Sequence, residues 1–464
     1  MSTQFITEPT RDIPIAGSFD VIVAGGGTAG VIAACKVASC GLSVALFESK
    51  AFLGGVGTMG LPYQGFYDLA AKPVVGGVPI QFVDRLREIG GASEQFIQCE
   101  AHNPFMIVDP EAVKRVCQEM CVDAGVQIHL HTMVASVIRN DNEVSAIITE
   151  SKSGREAYVA NVFIDATGDG DVCTIAGVQF SIGREEDSRT QSSTLLFRLD
   201  GVDTDYLREQ VLSEPERYDL LPTLPRHQFN HNRKHIMVGL SNQIKQAISD
   251  GLEGIPWDRV CYITMLQEGA VAINMVHVSE RNATVARELT SIEIEGRRQI
   301  PGIIAFLRSY VPGFEKATLT SSAAWSGIRE TRHMRGRAIL TEQMINGGHI
   351  PADSVAVGGY PIDIHLPTDE EDLELTKVPR YGIPYGCLLP HEFDNLLMAG
   401  RCISATHRAF ASSRVMGTCM ATGEAAATAA IIAIDTGTRP ANVDVSMLRQ
   451  RLIDDGAIVG EINM

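Results

Sequence analysis

The chain has 464 residues, and 39 basic against 56 acidic side chains give a formal net charge of −17, which argues against a nucleic-acid partner. Apolar residues at 45%, charged residues at 20%, 43 glycines and 20 prolines exclude the disordered, collagen-like and disulfide-scaffold classes. A globular protein of two or three domains is expected.

Met1 to Phe19 carries Glu8, Arg11 and Asp12 rather than a basic start and an apolar run, so no export signal is expected. The ten cysteines include no C-x-x-C pair, which suits reduced thiols in a cytoplasm. Phe19 to Ala24 is an apolar run that enters Gly25-Gly26-Gly27-Thr28-Ala29-Gly30 and then an Ala-rich segment, the pattern of strand, tight turn and helix. The helix is expected from Gly30 to Ser39, with Gly41 ending it and Ser43 to Glu48 returning as a buried strand. Asp109 and Pro110 open a further helix that Gly125 stops. A strand at Val126 to Leu130 follows, then a β-meander through Val134 to Ile138, Val144 to Thr149 and Tyr158 to Phe163, then a strand at Ile164 to Gly168 that rejoins the first sheet.

From Arg184 to about Arg380 charge is denser, prolines cluster at Pro222, Pro225, Pro361 and Pro367, and the βαβ rhythm is lost. The chain then returns to a buried strand at Asn395 to Gly400 and a small-residue helix at Gly417 to Ile434. The apolar window Ala425 to Ile434 is too short for the roughly 20 residues that a membrane span needs, so it is expected to be a packed helix. The expected organisation is a discontinuous α/β nucleotide-binding domain, residues 1–183 and 384–464, with an inserted α+β substrate domain over 184–383.

Gly25-x-Gly27-x-x-Gly30 has the full context of a dinucleotide turn. The first glycine makes the turn, the second admits the pyrophosphate to backbone N–H groups, and the third lets the helix pack closely. Glu48, at the end of the second strand, would accept the ribose hydroxyls and repel a 2′-phosphate, which leaves FAD or NAD. Glu48-Ser49-Lys50-Ala51-Phe52-Leu53-Gly54-Gly55 then resembles the glutathione-reductase superfamily, in which glycines after the acidic residue pass beside the flavin.

The chain also resembles bacterial FAD-dependent oxidoreductases through Asp165-Ala166-Thr167-Gly168-Asp169-Gly170-Asp171, Gly327-Ile328-Arg329-Glu330-Thr331-Arg332-His333-Met334-Arg335-Gly336 and Asn395-Leu396-Leu397-Met398-Ala399-Gly400-Arg401. The resemblance implies a glutathione-reductase-type FAD domain in which Gly25, Gly27 and Gly30 hold the pyrophosphate, Glu48 the ribose and the Val134 backbone the adenine. It implies Gly54 and Gly55 beside the isoalloxazine, and Thr167, Gly168 and Asp169 near the nucleotide end. Arg401, after Gly400, stands where many relatives carry Asp, and would pair with the pyrophosphate. A helix starting at Gly417 and Thr418 would aim its N-terminus at flavin N1.

Arg329, Arg332 and His333 would share one face if their segment is helical, either as a guanidinium clamp for an anionic substrate or as a structural ion-pair network. His365 and His407 are candidate proton-transfer groups, and Tyr385 and Arg414 candidate substrate-orienting groups. Cys402 and Cys419 are expected to be small buried residues rather than redox partners. His129 with His131, and His227, His231 and His235, lack the accompanying ligands of a metal site, so no metal is expected.

These features point to an FAD-dependent oxidoreductase that transfers a hydride between flavin N5 and a small organic substrate, anionic or hydroxylated. With no second dinucleotide turn in the sequence, an external electron acceptor or redox partner is expected, and no membrane span. The alternatives are an electron-transfer flavoprotein subunit and an FAD-dependent isomerase or hydratase.

Overall fold

The computed structural model describes residues 6–99, 101–219, 233–365 and 373–460. His227 and His231, like Pro222, Pro225 and Pro367, lie outside the described residues.

The strand Ile15–Ala24 ends in four residues, Val21 to Ala24, that are at most 2% exposed, because it runs in the middle of a seven-stranded sheet. It pairs in parallel with Val44–Phe47 on one side and with Gly154–Asp165 on the other. Gln127–His129 extends the sheet beyond Val44–Phe47, and Leu396–Met398 joins Gly154–Asp165 in parallel. The meander strands Met133–Asn140 and Glu143–Ser151 belong to the same sheet, which they continue in antiparallel fashion. The two strands expected at Tyr158 to Phe163 and Ile164 to Gly168 are one. Its twelve residues are long enough to pair with the meander along one edge and with the first strand along the other.

The helix Thr28–Ser39 starts two residues earlier than expected and is buried along almost its whole length. Helix Pro110–Ala124 has the expected ends: Asp109 accepts the amides of Glu111 and Ala112 at 3.0 and 2.9 Å, and Gly125 takes a left-handed φ of 86°. Among the described residues one helix, Met416–Asp435, is long and apolar enough to cross a membrane, and it is packed inside the core. A Cβ on its Gly423 would lie 2.3 Å from the Ala29 carbonyl oxygen, so glycine lets it cross Thr28–Ser39 at close range.

The second sheet is antiparallel, in the order Thr318–Ser322, Phe197–Asp200, Val271–Ile273, Val260–Thr264, Ile236–Gly239. Ile292, Ile300, Ile303 and Leu307 of the long helix Ala286–Tyr310 share a core with Phe197, Leu199, Val260 and Val271. Leu196, Ile236, Cys261 and Ala272 pack instead with Phe105, Ile107 and Trp257. The apolar cores divide the chain differently from the expected boundary at residue 383. Leu340, Ile345, Val355 to Val357, Ile362 and Ile364 belong to the core of the first sheet and its helices, because Ser354–Gly358 packs against Met416–Asp435.

Candidate functional site

The glycine turn is built by backbone contacts. Gly25 donates its N–H to the Phe47 carbonyl at 2.8 Å and holds φ at 97°, where a side chain would meet Ala166 O at 2.4 Å. A Cβ on Gly30 would lie 1.8 Å from Gly25 O, so the helix is seated directly on the turn. Gly27 is different: a Cβ there meets nothing within 4 Å, and as the N-cap it offers no side chain to the helix amides. Open space in front of uncapped amides at the positive end of a helix fits a diphosphate. Glu48 accepts from Gly26 N–H and Lys50 N–H, each at 2.8 Å, which fixes its carboxylate beside the turn. Thr132 N–H donates to the Glu48 carbonyl at 3.0 Å, two residues before Val134 in the strand Met133–Asn140. Gly54 donates to Gly26 O at 2.8 Å, and Gly55 approaches so closely that its Cβ would lie 2.8 Å from Gly27 Cα. These positions fit FAD.

The loop after Gly154–Asp165 is organised by Asp165, which is fully buried. Its carboxylate accepts from Thr167 N and Oγ1 at 3.1 and 2.7 Å and from Cys173 N at 2.8 Å. Ala166 and Thr167 are thereby held against Gly25. Arg401 lies beside Gly168, where a Cβ would come within 3.1 Å of its Nη2. Its guanidinium pairs with Asp169 at 2.6 Å and reaches Thr331 Oγ1 at 3.4 Å, because Asp169 offers it a carboxylate within the chain. Gly400 donates its N–H to Thr422 Oγ1 at 2.9 Å. The Gly417 amide, expected to face the flavin, donates to the Gln64 carbonyl at 2.9 Å, since the Gln64–Gly65 loop lies across the start of the helix. Thr418 is the neighbour left with a buried hydroxyl that has no partner.

The segment carrying Arg329 and Arg332 is not helical. Arg332–Met334 is a short strand paired with Phe180–Ile182, so its neighbouring side chains alternate instead of sharing a face. Arg332 accordingly turns to Asp169 O and Asp171 Oδ1, both at 2.9 Å, while Arg329 donates to Ser192 O at 2.7 Å.

Arg329 lies in a cluster that joins both sheets. Arg414 donates to Asp363 O at 2.9 Å and to Gln191 Oε1 at 3.3 Å. His365 Nε2 lies 3.4 Å from Asp363 Oδ1, two residues along the strand Ile362–His365. The Tyr360 hydroxyl has two acceptors within reach of its one proton, Asp363 Oδ2 at 3.3 Å and Gln64 Oε1 at 3.1 Å, which ties the cluster to the loop crossing the Met416–Asp435 helix. Trp257 stacks on His277 at 5.9 Å between centroids and lies 5.7 Å from His365.

Burial alone would push the Asp363 carboxyl up, but His365, Arg414 and His102 hold it well below the usual range. Burial, with Arg329 nearby, lowers His365 to about 4 and His277 to about 3, so both are neutral at pH 7. Burial beside Arg414 lowers Arg329 to about 10. Burial raises the Cys261 thiol to about 12.

His407 is in a second group. Glu330, 1% exposed, accepts from His333 Nε2 at 2.7 Å, His407 Nδ1 at 2.6 Å and Gln191 N–H at 2.8 Å. Burial raises its carboxyl, yet the two imidazoles bring it down to about 2. The two imidazoles share Glu330 Oε1, and Gln191 N–H takes Oε2. Gln191 bridges the two groups.

Tyr385 belongs to neither. Its ring is packed in the first core and its hydroxyl donates to Pro440 O at 2.8 Å. Cys402 and Cys419 are buried, and burial raises the Cys419 thiol to about 12. His129 stacks on Phe47, and His235 bonds Tyr262 Oη at 2.8 Å.

Sequence reasoning missed Gln191, Ser192, Trp257, His277, Tyr360 and Asp363. Asp363 alone left a usable signal, an i, i+2 spacing to His365 in an extended segment.

No curated protein sequence is significantly similar to the chain. Among solved structures it is similar to the flavin-dependent brominase Bmp2, at 13% identity over 93% of this chain and 83% of that one, with a TM-score of 0.51, a likeness of fold. A flavoprotein/dehydrogenase from Cytophaga hutchinsonii aligns at 13% identity over 94% and 84%, TM-score 0.47. A geranylgeranyl bacteriochlorophyll reductase-like protein from Thermoplasma acidophilum aligns at 13% over 95% and 84%, TM-score 0.45. The sequence model of the family described as FAD dependent oxidoreductase matches residues 20–452, nearly the whole chain. With the glycine turn and Glu48 in place, the chain belongs to the FAD-dependent oxidoreductase family and its cofactor is FAD.

Proposed function

We propose that the protein is an oxidoreductase of the glutathione-reductase type that transfers a hydride between flavin N5 and a small organic molecule held at the Arg329, Asp363, His365 and Arg414 cluster. The observation that carries this reading is Arg414. It stands two residues before the helix Met416–Asp435 and reaches both Asp363 and Gln191, so the cluster adjoins the helix start and the loop that follows Gly54 and Gly55.

FAD supplies the redox chemistry when bound. The residues of the chain orient and deprotonate. Gly25, Gly27 and Gly30 with Glu48 hold the nucleotide. His365 Nε2 lies 3.4 Å from Asp363 Oδ1, which favours the tautomer with its proton on Nε2 and leaves Nδ1, buried and without a partner, as a proton acceptor. Arg329 and Arg414 orient the substrate, and the neutral His277 and Trp257 exclude water from it. Within this reading the molecule works in the cytoplasm and returns its electrons to an external acceptor or redox partner.

The test is anaerobic addition of small hydroxylated and carboxylated compounds to the FAD-loaded protein, followed by flavin absorbance. Bleaching by one compound, lost in H365Q with FAD retained, is the expected result. A flavin that only a partner protein reduces would favour an electron-transfer subunit instead.

A further inference from the structure

Buried hydrogen-bonding groups normally have partners, and those that lack them mark where something else binds. In the Arg329 cluster the unpartnered atoms include three fixed donors, Gln191 Nε2, Trp257 Nε1 and Arg414 Nε, against one fixed acceptor, Asp363 Oδ1, with the Ser192 hydroxyl and the imidazole nitrogens His277 Nε2 and His365 Nδ1 beside them. Gln191, Ser192 and Trp257 are 3%, 1% and 6% exposed, so water does not satisfy them from outside.

The charges lean the same way. Two guanidiniums face one carboxylate, Asp363, and the imidazoles packed around them are neutral at pH 7. Neighbouring charges are matched elsewhere: Asp258 pairs with Arg259 at 2.8 Å, and Glu330 is hydrogen-bonded to His333, His407 and Gln191 N–H. Within the cluster itself two guanidiniums are set against one carboxylate. A single negative charge with oxygen acceptors completes the cluster, whereas a dianion would leave an uncompensated charge in a buried place.

We propose that this cluster binds an organic carboxylate, received by Arg329 and Arg414 and by the unpartnered donors of Gln191, Ser192 and Trp257. The assignment rests on the reading of the cluster as the substrate site and adds the class of molecule.

The chain has two tryptophans, and Trp325 stacks on Phe52. The FAD-loaded W325F protein therefore reports on Trp257 alone. Acetate and benzoate, acetamide and benzamide, and inorganic phosphate are titrated separately against its emission and against flavin absorbance. Saturable changes in Trp257 emission with the carboxylates are expected, at least tenfold weaker with the amides and with phosphate. R329K and R414K, which keep the charge and lose the planar fork, are expected to weaken carboxylate binding at least tenfold with FAD retained. Equal binding of amides, tighter binding of phosphate, or unchanged affinity in both lysine variants overturns the proposal.

The two readings fail separately. A neutral compound that bleaches the flavin while no carboxylate binds overturns the carboxylate assignment and leaves hydride transfer standing. Carboxylates that bind while no compound reduces the flavin support the assignment and remove hydride transfer.

Discussion

Arg414 donates through Nη2 to the Asp363 carbonyl at 2.9 Å, and this contact joins the residue ahead of the Met416–Asp435 helix to the strand that carries His365. A charged hydrogen bond of this kind contributes about 1.5–3 kcal/mol. R414M is therefore expected to lower kcat/KM about 10- to 100-fold while FAD stays bound, read as steady-state rates beside the flavin-to-protein absorbance ratio. Unchanged kcat/KM would remove Arg414 from the site.

Gly27 and Gly30 separate binding from folding. G27A places its methyl in open space and leaves a backbone of φ −74° that alanine adopts freely, so Tm is expected to stay near the parent while FAD affinity falls at least tenfold. G30A drives a methyl to within 1.8 Å of Gly25 O and is expected to destabilise the fold by more than about 3 kcal/mol. Denaturant unfolding and flavin retention read the two effects, and equal behaviour of the two variants would contradict the assignment.

This difference also explains what was legible in the sequence. The turn from Gly25 to Glu48 is local, since each residue's role follows from its place in one strand, one helix and the next strand. The helix Pro110–Ala124 was legible for the same reason, through Asp109 and Gly125 at its ends. Arg329 and Arg332 were misread because charge at three-residue spacing suits a helix, whereas pairing with Phe180–Ile182 makes the segment extended and sends the two guanidiniums apart. Trp257 and His277 are brought to His365 only by the packing of the second sheet on the first core, and no spacing in the sequence encodes that.

His365 makes the cluster sensitive to acid. Its ordinary value of 6.5 falls to about 4 through burial and the charge of Arg329. A group depressed in the folded state takes up its proton more readily when unfolded, so its contribution to stability is present above about pH 6.5 and is lost as pH falls toward 4. The parent protein is expected to lose up to about 3 kcal/mol more than H365Q across that window. The acid limb of kcat/KM is expected near pH 4. A limb near 6.5 would show that the imidazole is not held in this environment.

Tyr385 and Arg332 are expected to act on stability alone. Y385F removes the hydrogen bond to Pro440 O and costs about 1 kcal/mol, and R332M removes the contacts to Asp169 O and Asp171. Both variants are expected to keep the parent kcat/KM at a temperature where they are fully folded. A tenfold fall in either would return that residue to the substrate site.

Glu424 gives a pH response of opposite sign, far from the cluster. It is 1% exposed on Met416–Asp435, and its Oε1 accepts the Val78 amide at 3.1 Å at the start of the helix Val78–Glu88. Burial raises its carboxyl from 4.5 to about 7, against the pull of the Val78 amide and of Lys36, which is itself paired with Asp455 at 2.7 Å. The fold therefore favours the protonated acid, and stability is lost as pH rises from about 4.5 through 7. E424Q keeps an acceptor for Val78 and never ionises. It is expected to stabilise the protein at pH 8 by up to about 3 kcal/mol and to change little at pH 4.5. Thermal unfolding at the two pH values decides the matter, because a gain that is the same at both would mean that packing, not ionisation, sets the cost of the carboxyl.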